Sequence, residues 1–206
     1  MSLIDTLPDT NPKKISLSQN IATVYQYFGL FKTAIRYFQV AINGNQQNGN
    51  HRGLGLALAN LGLLYDEMED HEKAINTSKE AMQYLRDVKM PFAQTASNIA
   101  EYYLGARQID SALYYLQQSM EVEKLINNNE IRTINTNLLS LIYLSRKKYD
   151  SAAILLRNNL DQLSGSGNHW VLVKALFNQS RLDTSLLRYA EAKKHLTRAL
   201  EISRKD

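Results

Sequence analysis

Cysteine is absent from the 206 residues, which excludes disulfide cross-links and thiolate metal ligation. Proline occurs 3 times and glycine 9 times, few enough to leave long helices uninterrupted. No apolar run approaches the roughly 18 residues that a membrane-spanning helix needs. Met1-Ser2-Leu3-Ile4-Asp5 has neither the basic nor the apolar region of a secretory signal. The expected location is cytoplasmic, or periplasmic if a signal has been removed. A net charge of +4, spread among interspersed residues of both signs, lacks the footprint of a nucleic-acid binder. With 44% hydrophobic and 21% charged residues, the chain is neither disordered nor collagen-like.

What the sequence does have is internal repetition. Tyr25, Ala34 and Phe38 are followed at one spacing by Tyr65 and Ala74, by Tyr103, Ala112 and Leu116, and by Tyr143, Ala152 and Leu156. Ala192 and Leu196 continue the series, so the anchor alanines Ala34, Ala74, Ala112, Ala152 and Ala192 stand 40, 38, 40 and 40 residues apart. Apolar residues at three- and four-residue steps make each unit a pair of amphipathic helices. The first helix of each pair carries a small residue (Ala22, Gly62, Ala100, Ser140, Ser180), with tyrosine three residues on in the first four. Small residues let helices approach where ridges cross, and a large side chain there overpacks the contact. The spacing predicts helices over 15–28 and 31–45, 52–68 and 71–86, 91–105 and 108–126, 129–145 and 148–163, and 169–185 and 188–204. Residues 1–14, with Pro8 and Pro12, read as an extended or disordered lead-in. Leu196, Leu200 and Ile202 lie on the outer face of the last helix.

This pattern resembles the tetratricopeptide repeat: a large residue, Leu-Gly, Tyr, then Ala, an aromatic and Ala. The resemblance runs from residue 15 to about 204, with units starting near 15, 55, 93, 133 and 173. It implies an all-α fold, a right-handed superhelical solenoid of five helix pairs over 15–206. The units are longer than the family's 34 residues. The excess falls at Gly44–Asn50, Asp87–Pro91, Asn127–Asn129 and Ser164–Asn168, as in the arrays of kinesin light chains and Rap-type bacterial regulators. Gln179 and Asp183 replace Leu and Tyr in the fifth unit, and terminal repeats are commonly atypical.

Catalytic and cofactor signatures are scarce. His51, His71, His169 and His195 are scattered over different units without a metal-ligand partner at helical spacing, so structural or surface roles are expected. Gly53-Leu54-Gly55 lacks a third glycine and a preceding strand, which leaves it to chance. The acidic run from Asp66 to Glu72 and the basic cluster Lys193, Lys194, Arg198, Arg204 and Lys205 read as solvated faces. No nucleophile–base or paired-carboxylate arrangement is present. The expectation is a non-enzyme with no cofactor and no metal, binding no nucleic acid and entering no membrane.

The informative constellation lies on the first helices. Asn20, Asn60, Asn98 and Asn178 sit two residues before the recurrent small residue, and Asn137 stands one place earlier in the fourth unit. The resemblance implies that this position faces a concave groove, where each amide bonds the N–H and C=O of an extended peptide. The alternative is that the amides bridge neighbouring helices and touch no ligand. The same face carries Ser16, Gln19, Thr23, Gln26 and Tyr27, then Leu63, Asp66 and Glu67, Gln94 and Glu101, Leu141, and Lys174 and Arg181. Such a groove is acidic in its middle and basic at its C-terminal end, suiting a partner with a positive centre or a terminal carboxylate near Arg181. Gln19 and Thr23 stand where chaperone-binding relatives have a Lys and an Asn, so their carboxylate clamp is not reproduced. The function expected is a scaffold that binds a protein or peptide. The alternatives are a ligand-sensing regulatory part of a larger bacterial signalling protein, or self-assembly as a homodimer through the C-terminal unit.

Overall fold

Asparagine starts most of the helix pairs. In the computed structural model, which describes residues 7–165 and 167–204, the side chains of Asn11, Asn50, Asn128 and Asn168 accept hydrogen bonds from the N–H groups of Lys13, Gly53, Ile131 and Val171. Each cap satisfies one of the donors that a helix start leaves without a partner, worth about 1 kcal/mol. The helices are α1 (Pro12–Tyr27), α2 (Phe31–Gln47), α3 (His51–Glu67), α4 (His71–Leu85), α5 (Lys89–Gly105), α6 (Ile109–Ile126), α7 (Asn129–Ser145), α8 (Tyr149–Leu163), α9 (His169–Ser185) and α10 (Tyr189–Ser203). The described residues contain no strand. The fold is all-α, in five successive helix pairs.

The turn inside each pair has one recurrent left-handed residue: Gly29, Glu69, Arg107, Lys147 and Leu187, with φ of 70°, 61°, 59°, 57° and 58°. One residue later the N–H of Leu30, Asp70, Lys148 or Arg188 returns to the carbonyl of Tyr25, Tyr65, Tyr143 or Asp183. This closes the helix end by satisfying a late carbonyl. Only the first turn uses the residue that adopts this backbone without strain.

By contacts the chain groups into two compact units, Met1–Arg107 and Gln108–Asp206. In the first, α1 packs on α2, α2 on α3, α3 on α4 and α4 on α5. Its core includes Ile15, Phe38, Leu54, Leu58, Leu61, Leu64 and Leu85. In the second, α6 packs on α7, α7 on α8, α8 on α9 and α9 on α10. Leu163, Val171, Leu172, Ala175, Leu176 and Ala199 form a buried cluster there, with Ile134, Leu160 and Ile202 packed against it. The anchor alanines and the recurrent small residues are all buried. Leu196 and Leu200 of α10 are exposed, whereas Ile202 turns inward and is half-buried.

Two sequence readings change. Residues 1–6 of the lead-in, together with Ser166 and Lys205, lie outside the described residues. Pro12, placed in the lead-in by sequence, is the first residue of α1, where its fixed φ suits a helix start and its missing N–H is not needed. Residues 7–11 pack against the chain: Asn48 Nδ2 donates to Thr10 O at 2.8 Å and Lys14 Nζ to Leu7 O at 2.7 Å. Gly44 permits this contact, because a Cβ there would overlap Asp9 O and Ile15.

Gly53 and Gly55 also have a packing reason rather than chance. Asn45, fully buried, donates to Ala41 O at 2.9 Å and accepts from Asn50 Nδ2 at 2.7 Å. A Cβ on Gly53 would overlap both amides, and one on Gly55 would meet Leu85 Cγ at 2.8 Å. Gly53→Ala is expected to lower stability by about 2 kcal/mol through overpacking, although alanine is the better helix former. A urea unfolding curve with an unchanged midpoint would refute this role.

Candidate functional site

In the first unit, the helices α1, α3 and α5 carry Asn20, Asn60 and Asn98. Asn20 is exposed and the other two are half-buried. None of the three amides bonds another described residue. Around them Gln19 is half-buried and Thr23 exposed, its hydroxyl donating to Gln19 O at 3.1 Å. Gln94 is exposed, and Leu63, Asp66 and Glu101 are half-buried. Thr23, Gln26 and Tyr27 of α1 meet Asn60, Leu63 and Glu67 of α3 around a surface pocket of about 460 Å³. Gln26 Nε2 ties the two helices by donating to Glu67 Oε1 at 2.8 Å. The Tyr27 ring, 86% exposed, meets the Phe28 ring edge to face at 5.5 Å. The structure thus brings together six residues that the sequence assigned to a groove face: Thr23, Gln26, Tyr27, Asn60, Leu63 and Glu67.

The acidic stretch beside this pocket is built into the fold. Asp66 Oδ1 lies 3.0 Å from His71 Nδ1, and Gly105 of α5 leaves room for that imidazole. Deeper in, Tyr102 is 1% exposed. Burial pushes its phenol pKa up, and the charges of Asp66, Glu101 and Glu67 push it the same way. Ser78 favours the phenolate slightly, yet neither hydroxyl makes a hydrogen bond of good geometry. Gly62 provides the space for Ser78 Oγ, which a Cβ there would overlap.

The second unit treats its asparagines differently. Asn137 and Asn178 are each 4% exposed, and Asn178 Nδ2 donates to Asn137 Oδ1 at 2.8 Å. These two amides bridge α7 and α9. Their engagement with each other leaves little polar capacity for a ligand. Leu141 is half-buried and Arg181 exposed, while Lys174 Nζ stands 4.0 Å above the Trp170 ring. Trp170 and Phe177, 58% and 52% exposed, share the face of Lys174 and Arg181. Sequence reasoning passed over both, although the steps 170, 174, 177 and 181 are those of one helix face. A pocket of about 900 Å³ opens beside Trp170, lined by Asn129, Arg132, Gln162 and Asn168 among others. Asp183, the fifth unit's replacement for tyrosine, is 3% exposed and lies 3.0 Å from His195 Nδ1.

Among the described residues, no group of three or more His, Asp or Glu side chains could hold a metal ion. Among the same described residues, no helix is long and apolar enough to cross a membrane.

Successive helix pairs with recurrent buried small residues define the class, an all-α helical-repeat fold similar to the tetratricopeptide type. The family model "Tetratricopeptide repeat" matches residues 14–87, and a second, "Anaphase-promoting complex subunit 5", matches residues 138–206. No curated protein matches the chain. Among solved structures, it is similar to nearly identical TPR-like repeats described as kinesin light chain from Podosopora anserina. The identity is 15% and the TM-score 0.67, with 95% of this chain and 97% of that one covered. It is also similar to aspartyl phosphate phosphatase F from Bacillus subtilis, with 16% identity and a TM-score of 0.79. There, 97% of this chain covers 51% of the other, about half its length. A Rap protein complexed with competence and sporulation factor gives 16% identity and a TM-score of 0.67, covering 94% and 64%. At such identities the likeness establishes the fold.

Proposed function

We propose that this chain binds an extended polypeptide along the first-helix face of its first unit, using Asn20, Asn60 and Asn98 to hold the ligand backbone. The observation that supports it is the unspent hydrogen-bonding capacity of these three amides, in contrast to the Asn137–Asn178 pair. A carboxamide offers two donors and one acceptor, which match the N–H and C=O of one extended residue. Partly buried amides without intramolecular partners are costly to maintain unless something binds them. The adjoining pocket of Thr23, Tyr27 and Leu63 offers room for a side chain of the bound segment.

The test is to select peptide ligands by display on the intact protein and measure them against Asn60→Ala/Asn98→Ala. Losing two amide clamps is expected to weaken binding at least tenfold, about 0.7 kcal/mol or more per amide. Helicity and melting should stay near those of the parent. Unchanged affinity in the double variant, or no peptide enriched at all, would remove the reading.

A further inference from the structure

We infer that the pocket between α1 and α3 receives a cationic side chain, an arginine or lysine of the bound peptide, with Glu67 as the residue that sets this preference. The inference rests on the peptide-binding reading above and adds the chemistry of one subsite. Three observations carry it.

The first is the state of Glu67. This exposed side chain lines the pocket, its Oε1 accepts from Gln26 Nε2 at 2.8 Å, and no described cation pairs with it. Oε2 is therefore left for an incoming donor. A guanidinium or ammonium makes the shortest and strongest hydrogen bonds to such a group. The second is Tyr27, whose 86% exposed ring stands on the same pocket. An aromatic face within reach of a carboxylate binds a cation from two sides, by charge and by the ring quadrupole. Asn60, without an intramolecular partner, adds an acceptor oxygen to the same wall.

The third observation concerns the helix that carries Glu67. The last turn of α3 contains Asp66 and Glu67 and no basic residue. Carboxylates at a helix C-terminus oppose the macrodipole, so this placement works against the helix that holds it. Local rules are broken in this way where a site needs them broken. Asp66 Oδ1 has His71 Nδ1 at 3.0 Å as a hydrogen-bond partner; Glu67 has only the neutral amide of Gln26. A bound cation would relieve both the dipole and the neighbouring charge. An acidic ligand side chain would meet the opposite situation.

The test uses two acetylated nine-residue peptides of alternating alanine and serine, one with arginine at the centre and one with its neutral isostere citrulline. Amide shifts of the full chain are followed by NMR to millimolar peptide. The arginine peptide is expected to bind about fivefold more tightly, with the largest shifts at Thr23, Asn60, Leu63 and Glu67. Glu67→Gln should bring the two peptides to equal affinity. Tyr27→Ala should reduce the arginine preference about threefold. Equal binding of the two peptides by the parent, a preference that survives Glu67→Gln, or no binding of either would overturn the inference. Asn98, which lies outside this pocket, separates the two readings. Asn98→Ala should weaken both peptides alike and keep the arginine preference. If Asn98→Ala changes nothing while Glu67→Gln erases the preference, the backbone reading fails and the cation subsite stands.

Discussion

Replacing Arg132 with alanine is expected to lower the stability of the second unit by about 3 kcal/mol, because it strands a carboxylate inside the fold. Glu123 is a buried acid on α6, 7% exposed in its side chain, and Arg132 Nε reaches its Oε1 at 2.8 Å. The guanidinium also donates to Asn129 Oδ1 at 2.9 Å and to Asn127 Oδ1 at 2.7 Å. Asn127 is the left-handed cap of α6, with φ of 48°. One cation therefore binds the end of α6 to the start of α7. A simple surface ion pair would contribute 1 kcal/mol or less, so the size of the loss separates the two accounts. Glu123→Gln in the Arg132→Ala background should recover much of it, since a neutral amide is cheaper to bury than an unpaired charge. Urea unfolding of the four members of this cycle at neutral pH gives the coupling. A cost below 1 kcal/mol, or strict additivity, would show that Glu123 finds other compensation.

The second large effect is alkaline. Tyrosine ionises near pH 10 in an unfolded chain, and burial raises the Tyr102 pKa far above that, with Asp66, Glu101 and Glu67 adding to the rise. The fold keeps the neutral phenol while the unfolded chain loses its proton, so stability is intact below pH 10 and falls as pH climbs above it. The slope for one such group is about 1.4 kcal/mol per pH unit, or about 3 kcal/mol between pH 10 and 12. The chain has 12 tyrosines, so the informative quantity is the difference between the parent and Tyr102→Phe. The variant should lose this portion of the alkaline slope and be at least as stable as the parent at pH 7, because the hydroxyl it removes is buried without a well-formed hydrogen bond. Identical slopes in the two proteins would place Tyr102 in contact with water after all.

The architecture was legible in the sequence because repetition multiplies a weak signal. One Tyr-Ala spacing means little, but it occurs four times, a fifth anchor alanine follows in step, and all five alanines are buried. Helix limits agree with the periodicity to within three residues at every end. The largest shift, at Pro12, arose because a proline pair near the start resembles a linker until a cap such as Asn11 is recognised before it. The site was less legible. The asparagine position is uniform in sequence, yet its partners are set by the distance between adjacent helices. In the fourth and fifth units, Asn137 stands one residue early and reaches Asn178; in the first unit no asparagine is so placed. A single-residue offset rotates a side chain by about 100° around its helix, enough to exchange an open face for a buried one. Gly53 was less legible for a related reason, since it matters through what Asn45 and Asn50 place beside it, whereas Gly62 permits the close helix approach that its recurrent position implied.

The pairing of Trp170 with Lys174 has a consequence for anyone who watches this protein in solution. Trp170 is the chain's single tryptophan, sits on α9, and carries an ammonium 4.0 Å from its ring. Its emission therefore reports on the first turns of α9 and on the salt-sensitive cation above it. The pocket of Thr23, Asn60 and Glu67 has no tryptophan in its lining. Fluorescence will record a partner that docks beside α9, and a dye placed on α1 or α3 gives the other pocket a reporter of its own.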